Sequence, residues 1–467
     1  MAVSICAYGA AEEVTGSKHL LEWNGRKVLL ECGMFQGKRS ESRKRNLTLP
    51  FAGAEIDTAI LSHGHFDHCG NLPTLLKAGF QGTIHSTSAT RDIASLVLLD
   101  SAHIQAKDAE YLNNRPKRGK DRDQVEIEPL YTEDDVIQTL DHFMSHGYSR
   151  PFTALDGLRV TYFDAGHILG SALVLIETNG LTLGFTGDLG RPGLPILRDP
   201  QVLPPLDYLI CESTYGNRRH DPMGQALDEL AEVIVSTAAK GGRVVIPAFA
   251  VERTQELVYY LHLLHDQKRI PDLPIFVDSP MAVNATSIFR AHPECFDAET
   301  RRVFTDHAEN PFGFERLTLV TDLAESKRIN ELKYPHVVIS SSGMCEAGRI
   351  LHHLARSVPD HRDTILIVGF MAQNTLGRRL ADREKEVKIF GETYPLRARV
   401  KILNAFSAHA DYEETRVWLR RLDGNRLKGI FLVHGEPDAQ AHLKQVLEQD
   451  GFKRVEILHQ AQPVELV

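Results

Sequence analysis

The stretch Asp57-Thr-Ala-Ile-Leu-Ser62-His63-Gly64-His65-Phe66-Asp67-His68 decides how this chain is read. An apolar run of strand length breaks off at Ser62, and four side chains of metal-ligand type follow within six residues, divided by Gly64. Imidazole and carboxylate donors suit Zn²⁺, which takes both at about 2.0–2.2 Å. Four such groups packed together stay buried only if a cation compensates them. Residues 69–78 read as a helix stopped by Gly79, with its positive N-terminal end behind the loop.

The same pattern recurs along the chain. LRVTYF leads to Asp164-Ala-Gly-His167, LTLGFT to Gly187-Asp188, and LDYLIC to Glu212; VKIL precedes His409, and GIFLV runs straight into His434. Polar residues just past buried strands converge on one rim of an α/β sheet, where ligand sites are built. His63, His65, Asp67, His68, His167, Asp188, Glu212, His409 and His434 are therefore expected at a common site.

Size and composition narrow the class. With 467 residues the chain exceeds what one core serves, so two domains are expected. At 42% hydrophobic and 25% charged it is neither disordered nor fibrous. A net charge of −9 excludes a wholly basic nucleic-acid coat but permits a local basic groove. Six scattered cysteines without a C-x-x-C pair suit free thiols in a reducing compartment. The start lacks a basic signal region, and no apolar run approaches the roughly 20 residues a membrane span needs. A cytoplasmic protein with no membrane partner is expected.

Between about 213 and 395, strands such as GRVVIP, PIFVDS, HVVISS and TILIVG alternate with helical stretches at 224–240, 252–265 and 350–356. That alternation predicts a parallel α/β domain inserted into the first. The division is 1–212, 213–395 and 396–467. Residues 115–123, with five positive and two negative side chains, read as an exposed loop.

The H-x-H-x-D-H pattern after a strand resembles the signature of the metallo-β-lactamase fold. His167 in DAGHILGSA and Asp188 in FTGDLG match its later motifs in chain order. By that resemblance His63, His65 and His167 bind one zinc. Asp67, His68 and a further histidine bind a second, and Asp188 bridges them. The implied cofactor is two Zn²⁺ per chain, and two ions roughly 3.5–4 Å apart activate water and stabilise the oxygens of an in-line displacement. Where the family's first motif has Asp, this chain has Glu31 in LLECGMFQG. The resemblance gives that position a supporting part, orienting a ligand histidine through its free N–H.

Glu212 in CESTYGNR, His409 in FSAHADY and His434 in LVHGE are similar to motifs A, B and C of the β-CASP branch. IPAFAVERTQEL, VDSPMA, SSGMCEAGR and GFMAQNTLGR extend the likeness through the insert. The expected fold class is thus α/β: an αββα metallo-β-lactamase sandwich with an inserted parallel α/β β-CASP domain. The chain resembles the bacterial and archaeal homologues of the pre-mRNA 3′-end cleavage endonuclease subunit. His434 fills the vacancy at the second zinc. In this branch a histidine there accompanies RNA enzymes, which favours RNA over DNA.

Hydrolysis of a phosphodiester needs a proton for the leaving 3′ oxygen, and an imidazole is a suitable donor. His409 is read as general acid, oriented by Glu212, with Asp67 counted beside them among the catalytic groups. The alternative is that the pair only buttresses the metal ligands. Asp411 reads as the N-cap of the following helix. Ser341, Ser342 and Gly343, between a strand and a helix, are candidates for holding an RNA phosphate, with Arg253, Arg378 and Arg379 adding charge.

The resulting expectation is a zinc-dependent ribonuclease acting on single-stranded RNA, an endonuclease with or without 5′–3′ exonuclease action. Rival readings are a hydrolase of the same fold acting on DNA or a small ester, and a non-catalytic RNA-binding homologue. The large insert and the Glu212–His409 pair oppose the second reading, and the complete ligand set opposes the third. A di-iron protein of this fold would carry Glu at position 65. Length and charge are neutral on a homodimer.

Overall fold

Thr58–Ile60 is a fully buried strand lying parallel to Arg26–Leu30 on one side and Thr83–Ser86 on the other. The computed structural model describes residues 3–37, 39–114, 126–178, 180–306, 312–369, 371 and 374–466. The basic stretch 115–123 lies outside them. Around Thr58–Ile60 runs a seven-stranded sheet in the order Pro463–Glu465, Val3–Gly9, Lys18–Trp23, Arg26–Leu30, Thr58–Ile60, Thr83–Ser86, Phe143–Ser145. Its first three pairings are antiparallel and the rest parallel. Lys18–Trp23 and Arg26–Leu30 are joined by Asn24-Gly25, both at positive φ, the two-residue turn that a twisted hairpin favours.

A second seven-stranded sheet has the order Val455–Ile457, Gly429–Val433, Tyr208–Glu212, Leu181–Phe185, Ala172–Thr178, Leu158–Asp164, Phe152–Leu155. Its first four strands are mutually parallel. The two sheets share one core: Ile5, Leu21, Val28 and Ile60 from the first meet Val160, Val174, Leu183, Ile210 and Phe431 from the second. Each such fully buried side chain contributes about 1.5–3 kcal/mol. Helices Tyr412–Leu419 and Pro437–Gln449 cover the far face of the second sheet through Trp418, Leu419, Leu443 and Leu447. Helix Glu133–Asp141 packs on both Leu72–Lys77 and Ser88–Asn113, and Ser88–Asn113 lies against Phe143–Ser145. This is the expected αββα sandwich.

The inserted unit is a six-stranded sheet, parallel throughout, in the order Leu317–Val320, Ile275–Asp278, Val337–Ser340, Val244–Pro247, Thr364–Ile367, Arg399–Ile402. Met223–Ala238 and Arg253–Asp266 pack apolar residues on one face, and Ile350–Ser357 and Leu376–Ala381 on the other. The chain divides into Met1–Pro192, Asp199–Arg218 and His409–Val467 as one unit, and Gly193–Arg198 with Arg219–Ala408 as the other. The insert therefore runs past residue 395, because Arg399–Ile402 pairs with Thr364–Ile367 and keeps the chain in the inserted sheet.

One helix differs from the sequence expectation. In place of a single helix over 69–78 there are two, Phe66–Cys69 and Leu72–Lys77, the second with Pro near its start. Proline lacks the N–H that would continue the first helix but fits the opening turn of a new one. Asp67 and His68 consequently sit inside a helical turn.

Candidate metal centre

Every ligand candidate lies in the sandwich unit. Three parallel neighbours in the second sheet, Leu181–Phe185, Tyr208–Glu212 and Gly429–Val433, end side by side. Beyond them stand Asp188, Glu212 and His434. In the first sheet, the parallel strands Arg26–Leu30 and Thr58–Ile60 end at Glu31 and the histidine loop. The loop closes tightly over helix Ser88–Asn113: a Cβ on Gly64 would lie 2.6 Å from Ile93 Cγ2, so only glycine fits there. His65 is the N-cap of Phe66–Cys69, in extended conformation.

The donors form two half-sites. His65 Nδ1 lies 3.1 Å from His63 Nε2 and 3.2 Å from His167 Nε2. Asp188 Oδ2 is 3.4 Å from His63 Nε2 and 3.3 Å from His167 Nε2. On the other side, His434 Nε2 lies 3.2 Å from His68 Nε2 and 3.4 Å from Asp67 Oδ2. Asp188 Oδ2 is also 3.4 Å from His68 Nε2, so one oxygen faces both groups.

These spacings fit metal ions. A tetrahedron of donors about 2.0–2.1 Å from a centre has edges of about 3.3–3.4 Å. Facing ring nitrogens this close do not all carry protons, and Asp188 Oδ1 is buried without a hydrogen-bond partner. The protonation states suit ligation too. Burial holds the His63 and His167 pKa below the ordinary imidazole value, and burial with His167 takes His65 down to about 3. Neutral imidazole is the ligating form. His68 is the exception: burial lowers its pKa, but Asp188 and Asp67 reverse that and raise it well above the ordinary value.

Supporting contacts fix the rings. Ser62 Oγ lies 2.9 Å from His63 Nδ1, leaving Nε2 to the half-site. Ser171 Oγ accepts the His167 backbone N–H at 3.0 Å. Glu31 is buried with φ of 66°; its Oε1 accepts the Ser62 N–H at 2.9 Å, and its Oε2 lies 3.5 Å from His68 Nδ1. The longer side chain at this position therefore reaches both the loop backbone and a ligand ring.

His409 Nδ1 lies 3.0 Å from Glu212 Oε1. Burial alone would lower its pKa, but Glu212 and Asp188 hold it at about 9. Burial raises the Glu212 carboxyl, and His409 more than offsets that, keeping it below the usual carboxylate range. Asp411 accepts the N–H groups of Glu413 and Glu414 at 2.9 and 2.8 Å, capping Tyr412–Leu419.

The phosphate-binding candidates belong to the inserted unit and are differently engaged. Ser341 Oγ bonds Ser279 Oγ at 2.7 Å, and Ser342 Oγ accepts from Glu346 N at 3.2 Å. The loop folds back on itself, Ser342 N–H reaching Ala347 O, and the next helix begins only at Ile350. Ser341, Ser342 and Gly343 thus do not form its N-terminus. Arg253 is buried and paired with Glu256 one turn on, and Arg378 Nε donates to Asp382 at 2.8 Å. Each of the two is thus paired with a carboxylate of its own helical segment. Sequence reading missed Ser62, which directly precedes His63, and Thr214, two residues past Glu212.

Fold and donor set define a metal-dependent hydrolase of the metallo-β-lactamase class. Residues 19–148 match the metallo-β-lactamase superfamily, 254–380 the Beta-Casp domain, and 393–458 the Zn-dependent metallo-hydrolase RNA specificity domain. The chain is 37% identical to Ribonuclease TTHA0252 of Thermus thermophilus, over 96% of both chains. It is 31% identical to Endoribonuclease YSH1 of Candida glabrata over 94% of this chain and 55% of that one. Identity to Transcription termination factor FttA of Methanosarcina mazei is 30%, over 94% and 67%. A crystal structure of a protein of unknown function from Enterococcus faecalis V583 shares the fold at a TM-score of 0.53, with 9% identity over the whole of both chains. The chain belongs to the β-CASP ribonucleases of the metallo-β-lactamase superfamily, and it is a metal-dependent hydrolytic nuclease. Among the described residues no helix is long and apolar enough to cross a membrane.

Proposed function

We propose that the protein cleaves single-stranded RNA internally with two zinc ions, leaving 5′-phosphate and 3′-hydroxyl ends. His63, His65 and His167 hold one ion, Asp67, His68 and His434 the other, and Asp188 faces both. Imidazole-rich donors favour zinc over manganese. When bound, the ions supply a water-derived nucleophile at neutral pH and offset charge on the transferring phosphoryl group.

The remaining chemistry rests on the chain's own groups. The observation that carries the reading is His409 beside this donor set, with Nδ1 held by Glu212 at 3.0 Å. That contact leaves Nε2–H to be delivered to the 3′ oxygen as its bond to phosphorus breaks. Glu212 keeps the tautomer and the positive charge in place before transfer. A hydrolase for small esters has no evident need of this pair, and the RNA specificity match and named ribonuclease relatives support RNA as substrate.

The test is product mapping with RNA labelled separately at each end, for wild type, Asp188→Asn and His409→Ala. Internal fragments with 5′-phosphates, lost in Asp188→Asn, are expected. Equal degradation by wild type and Asp188→Asn would sink the proposal.

A further inference from the structure

His434 follows the strand Gly429–Val433 in left-handed conformation, with φ of 51°. Its Nε2 faces His68 and Asp67. A neutral imidazole carries one proton, so Nε2 offers a lone pair only when the proton sits on Nδ1. The hydrogen-bond partner of Nδ1 is Thr214 Oγ1, at 3.0 Å. The threonine hydroxyl has its own outlet, the His434 carbonyl oxygen at 3.1 Å. The two bonds form a consistent circuit: Nδ1–H donates to Oγ1, and Oγ1–H donates to the carbonyl. Asp188 Oδ1 is the other oxygen near Nδ1, at 3.5 Å, beyond ordinary hydrogen-bond length.

The same residue reaches the acid pair. Thr214 N–H donates to Glu212 Oε2 at 3.1 Å, while Glu212 Oε1 is the oxygen that holds His409. Across the site, Ser62 makes a matching pair of contacts. Its hydroxyl meets His63 Nδ1, and its N–H meets a carboxylate, Glu31, both at 2.9 Å. Each half-site thus has a hydroxyl residue that fixes one ring by its side chain and one carboxylate by its backbone.

We propose that Thr214 is a positioning residue that turns Nε2 of His434 toward the second half-site and joins that histidine to the Glu212–His409 pair; this rests on the two-ion reading above. Without the hydroxyl, Nδ1–H has Asp188 Oδ1 to turn to, and the ring rotates away from Asp67 and His68.

The test compares wild type, Thr214→Val, Thr214→Ser and His434→Ala at graded free zinc, reading bound metal per chain and the absorption spectrum of the Co²⁺ form. Thr214→Val is expected to weaken the second ion by about 10–100-fold and to change the Co²⁺ spectrum. Thr214→Ser, which keeps the hydroxyl, should bind and absorb like wild type. If Thr214→Val binds both ions as tightly as wild type while His434→Ala loses one, the inference falls and the metal reading stands. A Thr214→Ser as weak as Thr214→Val also overturns it, since the hydroxyl would then not be the cause. If His434→Ala keeps both ions, the metal reading falls with it.

Discussion

His409 and Glu212, 197 positions apart, meet at 3.0 Å through Nδ1 and Oε1, and the same oxygen accepts the Leu189 N–H at 2.7 Å. One carboxylate therefore binds the turn after Asp188 to the imidazole proposed as proton donor. Removing either member should affect proton transfer before it affects the fold. His409→Ala is expected to slow cleavage by about 10²–10⁴-fold while zinc content stays at the wild-type value. Single-turnover rates alongside metal analysis check this.

The pH dependence follows in sign. The folded pKa of His409 is raised, with Glu212 the largest of the groups raising it, so the donor is protonated below that pKa and activity falls as pH rises through it. Cations bound beside Asp188 offset its share of that shift, leaving Glu212 to hold the charge. In Glu212→Gln the alkaline limb of the rate profile should move to lower pH. A limb at the same pH in both proteins would assign the titration elsewhere.

Asp188→Asn removes the charge of the oxygen that lies 3.3–3.4 Å from His63, His68 and His167. Loss of metal from both half-sites is expected, with cleavage down by at least about 10²-fold. Bound zinc per chain after dialysis is the readout, and full occupancy in the variant would contradict it.

Glu31→Gln tests the longer carboxylate at the end of Arg26–Leu30. The amide can still accept the Ser62 N–H but supplies no negative charge to His68. Zinc affinity at the second half-site should drop by about 10–100-fold, while His63, His65 and His167 keep theirs. Isothermal titration of the apoprotein separates the two.

Away from the site, Asp450 accepts from Arg416 at 2.5 and 2.6 Å and from Arg420 at 2.7 Å, and these partners take its pKa down to about 2. A depressed carboxylate stabilises the fold above its unfolded value of about 3.9 and loses that contribution as pH falls toward 2. Both arginines are partly exposed, so the worth is modest, about 1 kcal/mol. Urea unfolding of Asp450→Asn should show that deficit at pH 7 and a smaller one at pH 3.

The ligand set was legible because each donor stands just past an apolar strand, where residue type alone carries the chemistry. His63, His167, Asp188 and His434 all announce themselves this way. What sequence could not supply is pairing at a distance. Arg399–Ile402 reads as a strand, but nothing local says it lies against Thr364–Ile367 and so extends the insert. The fold-back of Ser342 onto Ala347 is a matter of loop geometry that residue types do not encode. Arg253 and Glu256 were within reach, since a three-residue spacing on a helix brings such a pair together. Thr214 and Ser62 were passed over because hydroxyl residues abound in loops and only their partners single them out.

Glu212 and Val433 are adjacent partners in the second sheet, yet Ser213 and Val433 stand 220 positions apart. A ribosome adding about 5–20 residues per second takes about 10–45 s to cross that interval. Across that interval the emerging polypeptide carries six of the seven candidate ligands, and gains His409 and His434 only at its close, so the proposed centre is complete only once the strand Gly429–Val433 has been made.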